Sequence, residues 1–90
     1  MIPTAQRVEF IRKIHLFRGL KDEDLTAIAE KLEECMFAPG EEVFHQGVEG
    51  DRFFIIYSGK VRVLRQDGGK QRELAGFVDY DYFGESSLLN

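Results

Sequence analysis

Four residues near the end of the 90-residue sequence have the types and spacing to do chemistry: Gly84, Glu85, Ser86 and Ser87, in the stretch FGESSLLN. Ser86, Ser87, Leu88 and Leu89 can open a short helix, and a helix start exposes unpaired N–H groups and a partial positive charge. Such a start is an anion site. Gly84 just before it lets a ligand come close to the backbone. Glu85, acceptor-only when ionised, can take hydrogen bonds from sugar hydroxyls while the amides of Ser86 and Ser87 hold a phosphate. The combination has the chemistry of a ribose-phosphate cradle. A glutamate at a helix start also complements the helix dipole, so the same residues have a purely structural reading. A carboxylate beside a phosphate is repelled unless a cation intervenes. No Arg or Lys follows Arg72, so the countercharge is expected from a residue that folds back or from beyond position 90.

The elements that must position these residues fall into two kinds. The first third reads as helical, over about 4–34. Phe10, Ile11, Ile14 and Phe17 follow the spacing of one helix face, and Gly19 interrupts. A second helix places Leu25, Ile28, Ala29 and Leu32 on an apolar stripe. Glu23, Asp24, Glu30, Lys31, Glu33 and Glu34 form its solvated face, and Asp22 is the expected N-cap. After Pro39-Gly40 the pattern changes to short strand-like runs between glycines, over 36–84. Val43-Phe44 is one run and RFFIIYS (52–58) another. KVRVLR (60–65) alternates, with Val61 and Val63 on one face and Lys60 and Arg62 on the other. QDGGKQ (66–71) reads as a hairpin turn, with Asp67-Gly68 as its strongest signal. RELAGFV (72–78) is the returning strand, with Gly76 weakening its middle. The fold class expected is mostly β with N-terminal helices, built as a small antiparallel sandwich or barrel.

Length and composition set the bounds. Ninety residues make one domain of modest size, with a core helped by eight Phe and three Tyr. A net charge of −4 argues against direct nucleic-acid binding. The single cysteine, Cys35, excludes a disulfide framework, and its apolar neighbours near a helix end suggest a buried, inert thiol. Charged residues scattered through positions 1–20 fit no signal peptide. No apolar run approaches the ~18 residues that span a bilayer. The expected setting is the cytoplasm, with no membrane insertion.

Three blocks together resemble the cyclic nucleotide-binding domain family: IHLFRGLKDEDLTAIAEKL, FAPGEEVFHQGVEGDRFFIIYSGKVRVL and DYFGESSLL. The central block carries the ordered set Gly40-Glu41, Gly47, Gly50-Asp51, an apolar strand, Gly59 and Val61, followed downstream by Phe83-Gly84-Glu85. The resemblance covers about residues 10–89. It implies an antiparallel jelly-roll, here incomplete, in which 85–90 begins the phosphate-binding cassette. It further implies that Glu85 binds the ribose 2′-hydroxyl and that Gly84 and the Ser87 amide approach the ribose and cyclic phosphate. Val61 and Leu74 would line the apolar side of the base pocket. The implied ligand is cyclic AMP or cyclic GMP, with neither favoured, and no other cofactor or metal. The family's phosphate-neutralising arginine and its closing helix would lie past Leu89, which implies a piece of a longer signalling or transcription-regulator chain that itself binds weakly or not at all. The family also has a glycine where Tyr80 precedes Asp81, a departure that bears on the turn there.

Two other classes of function compete. One is an interaction domain that keeps the fold without the ligand. The other is a metal enzyme of a related barrel, for which His15 and His45 are too few and too far apart. The reading is therefore non-catalytic. The apolar FFIIY segment and the unpaired strand edges of an incomplete roll further predict self-association.

Overall fold

The computed structural model describes residues 1–43 and 52–84. The chain falls into two compact units, Met1–Glu41 and Glu42–Asn90. Phe44, His45, Gly47, Gly50, Glu85, Ser86 and Ser87 lie outside the described residues.

The first unit contains helix α1 (Thr4–Arg12), a single 3-10 turn (His15–Phe17) and helix α2 (Asp22–Lys31). Its core is Ile11, Ile14, Leu25 and Ala29, each 2% exposed or less, with Val8 at the edge. The predicted stripe of α2 faces this core, with Leu25 and Ala29 buried and Ile28 and Leu32 half-buried. The predicted face Phe10, Ile11, Ile14 and Phe17 does not run along one helix. α1 ends at Arg12, and Ile14 is extended (φ −84, ψ 125) before the 3-10 turn begins. The break keeps Ile14 in the core, while its N–H still closes onto the Ile11 carbonyl at 3.0 Å.

The start of α2 also differs from expectation. Lys21 is the N-cap and Asp22 is the first helical residue, with no side-chain cap. The Asp22 carboxylate is instead engaged by Arg12 at 2.7 Å. Acidic residues 22, 23 and 24 nevertheless fill the first turn, as the helix dipole favours. At the other end of α2, Arg7 reaches across from α1. Its guanidinium donates to the carbonyls of Ala29 (3.2 Å) and Leu32, and its Nε donates to the Ile2 carbonyl at 2.9 Å. Glu34, expected on the solvated face, instead lies 3.6 Å from Arg7 and accepts from the Ile2 N–H. Because α2 stops at Lys31, Cys35 lies beyond the helix and is exposed. The expectation of a buried thiol is therefore corrected.

The second unit contains β1 (Phe53–Ile55), β2 (Lys60–Asp67), β3 (Lys70–Val78) and β4 (Tyr82–Gly84). β2 and β3 form an antiparallel hairpin, and β1 pairs with β4 around it. The hairpin turn is centred on Gly68-Gly69, both at positive φ (59 and 84). That is one residue later than Asp67-Gly68, and two left-handed residues define the type I′ turn that matches strand twist. Val61, Val63, Ala75 and Phe77 form the half-buried face of the hairpin. Phe77 stacks on Phe83 of β4, which stacks in turn on Phe54 of β1, both with ring centroids 5.3 Å apart. These aromatic contacts, with buried Ile56, join the two strand pairs. The run 52–58 is shorter as a strand than predicted. Ile56 leaves β1 to hydrogen-bond both Asp81 and Tyr80 backbone groups at 2.9 Å. Val43 lies in no strand.

Candidate functional site

Of the six residues the sequence singled out for a ligand, the described structure places Gly84, Val61 and Leu74. Gly84 ends β4 and lies opposite Phe53 of β1. A Cβ on Gly84 would sit 3.0 Å from the Arg52 carbonyl oxygen and 3.3 Å from the Phe53 Cα. Both are backbone atoms, so a side chain here would crowd the Arg52–Phe53 backbone, whatever approaches from the other side. Val61 pairs directly with Phe77, whose ring stacks on Phe83, the residue before Gly84. Val61 and Gly84 thus belong to one packed cluster. Leu74 does not join it. The register shifts between Val63↔Ala75 and Leu64↔Glu73, which leaves Leu74 as the unpaired residue of a β-bulge, 54% exposed.

The turn feeding β4 is built by residues the sequence reading did not assign to the site. Asp81 N–H donates to the Val78 carbonyl at 2.9 Å, closing a β-turn with Tyr80 at its third position. Tyr80 has φ +73, the only non-glycine in the left-handed region among the described residues. A type II turn needs positive φ there. Tyr80 meets that requirement without being a glycine. Two carboxylates brace it: Asp81 Oδ2 accepts from the Val78 N–H at 2.8 Å, and Asp79 Oδ1 accepts from the Gly59 N–H at 2.7 Å. The D-Y-D spacing was the available signal, since Asp side chains commonly tie such turns.

A groove of about 360 Å³ occurs in the helical unit, beside Val8, Glu9, Arg12, Asp22 and Thr26. The Arg12–Asp22 and Arg12–Glu9 ion pairs line it, at 2.7 and 3.4 Å. The Asp22 hydrogen bond first, and then the charges of Asp22 and Glu9, hold the Arg12 guanidinium above its ordinary range. It contains none of the residues of the cradle. Among the described residues no cluster of His, Cys, Asp and Glu has the numbers to hold a metal. No described helix is long and apolar enough to cross a membrane.

The sequence family model described as "Cyclic nucleotide-binding domain" matches residues 34–90, more than half of the chain. The chain belongs to the cyclic nucleotide-binding domain family. It is 38% identical over 81 residues to a cAMP-dependent protein kinase regulatory subunit of Mucor circinelloides f. lusitanicus, covering 90% of this chain and 19% of that protein. It is 40% identical over 97 residues to cGMP-dependent protein kinase isozyme 1 of Drosophila melanogaster, covering 100% of this chain and 13% of that one. Among solved structures, it resembles the regulatory subunit of a cAMP-independent protein kinase A from Trypanosoma cruzi bound to guanosine. That match has a TM-score of 0.81 and 29% identity, and covers 96% of this chain and 31% of the other. The chain thus spans between a tenth and a third of these relatives. The fold class expected from sequence, N-terminal helices followed by an antiparallel roll, is the one it shares with this neighbour.

Proposed function

We propose that residues 1–90 form one non-catalytic regulatory domain that senses a purine nucleoside or its cyclic phosphate within a signalling chain. Glu85 accepts hydrogen bonds from the ribose, the amides of Ser86 and Ser87 face the phosphate, and Gly84 and Val61 line the approach, without Leu74. The observation that carries this reading is the seating of Gly84. Paired with Phe53 and preceded by the stacked Phe83, it fixes the point at which the chain enters the Glu85–Ser87 stretch. Relatives in both the cyclic AMP and cyclic GMP kinase groups, and a neighbour bound to guanosine, support this class of ligand.

Glu85 suits the ribose, and residues 73–90 hold no Arg or Lys to pair with a phosphate. A charge-assisted hydrogen bond of that kind is worth about 1.5–3 kcal/mol, or roughly 10- to 150-fold in affinity. The reading for residues 1–90 therefore rests on sugar and base. Calorimetric titration with cyclic AMP, cyclic GMP, adenosine and guanosine tests this. Each cyclic nucleotide is expected to bind within about tenfold of its nucleoside. Glu85→Ala is expected to weaken both kinds by a similar factor, because the ribose hydroxyl is common to them. Micromolar cyclic AMP binding with adenosine inert would contradict the proposal, and silence from all four ligands would favour an interaction domain without a ligand.

A further inference from the structure

The outer half of the β2–β3 hairpin carries a like-charge pairing that makes no ion pair among the described residues, although Asp67 lies on the same face two positions along. Arg65 lies directly opposite Arg72 in the register. Two strand positions facing each other hold their side chains on the same face with Cβ atoms about 5 Å apart, and like charges so placed destabilise a sheet. Both arginines are exposed, and among the described residues neither has an ion pair. The contrast within the hairpin is direct: on the other face Arg62 lies 3.8 Å from Glu73. Lys70, at the turn, adds a third cation beside the pair, facing Asp67.

We propose that the Arg65–Arg72 pair is a docking surface for a carboxylate-rich segment of a partner protein. Two guanidiniums side by side present parallel N–H donors that fit Asp and Glu side chains in a bidentate manner. Charge complementarity selects the partner class. A net charge of −4 on the chain disfavours a polyanion such as nucleic acid or an anionic bilayer, whose long-range field meets the whole molecule. A short acidic peptide samples only the hairpin, within about one Debye length. A repulsive pair kept on a surface also fits a site maintained for binding at the expense of stability.

The test measures binding and stability together on the full 90-residue chain. The probe is a fluorescently labelled short peptide rich in glutamate, read by anisotropy at low and high salt. Arg72→Glu sets a carboxylate opposite Arg65, so the melting temperature should stay level or rise while peptide affinity falls by at least about tenfold. Arg72→Lys should retain most of the binding. Higher salt should weaken the unmodified chain's complex and change little for Arg72→Glu. A clear fall in melting temperature with Arg72→Glu would show that the pair serves the fold and would overturn the proposal. So would peptide binding that ignores the substitution, or binding to phosphatidylserine vesicles or duplex DNA with none to the peptide.

Discussion

Gly84 and Tyr80 stand four residues apart and illustrate opposite solutions to backbone demands. At Gly84 the demand is space, since a Cβ would lie only 3.0 Å from the Arg52 carbonyl oxygen. Gly84→Ala is expected to cost about 1–3 kcal/mol, the range for forcing a group into a packed position. Urea unfolding without any ligand checks this, because a glycine kept only for ligand approach would give no such loss. At Tyr80 the demand is a left-handed backbone, which an L-residue meets at about 1–2 kcal/mol. The hydrogen bonds from Tyr80 N–H to Ile56 and from Asp81 N–H to Val78 hold it there. Tyr80→Gly and Tyr80→Ala both remove the ring, but only the alanine keeps the strain. The glycine variant is expected to be the more stable of the two by about 1 kcal/mol in the same unfolding measurement.

At the scale of elements, Arg7 is the clearest case of one side chain joining two helices. Its donors reach the Ala29 carbonyl, which also accepts from the Leu32 N–H at 3.3 Å, and the Leu32 carbonyl just past the end of α2. Arg7→Leu keeps much of the apolar stem and removes the donors. It is expected to destabilise the helical unit by about 1–3 kcal/mol, read as an earlier loss of helical circular dichroism in denaturant. Helix α2 was legible in the sequence because four apolar residues at helical spacing sit opposite a run of charge. The break before Ile14 was not legible. An apolar residue at i+3 from Ile11 satisfies a helix pattern and an extended segment turned into the same core equally well. Cys35 was misread for a related reason: the helical region was carried to residue 34, and apolar neighbours beside its end were taken to bury the thiol. Its exposure predicts rapid reaction with a thiol reagent in the folded chain, at a rate close to that in denaturant.

For the molecule as a whole, the exposed strand residues matter most. Phe53, Leu74 and Val78 are each about half exposed, on strand pairs that are two strands wide among the described residues. Apolar surface beside open strand edges promotes association between copies. Sedimentation velocity is expected to show concentration-dependent species heavier than the monomer, and a single monomer boundary at high concentration would count against this.

The sequence by itself determined the order of helices and strands, the β2–β3 hairpin with its alternating face, and the family to which the cradle residues belong. These are written in local spacing: periods of 3.6 and 2, glycine pairs at turns, and a short ordered motif. Only the tertiary structure decided that Gly84 is crowded against the Arg52–Phe53 backbone, that Tyr80 adopts a left-handed conformation, that Leu74 falls on a bulge, and that Arg65 faces Arg72. Each depends on which residue lies across from which. Strand register and helix docking are settled by packing between segments distant in the chain, and no local pattern encodes them.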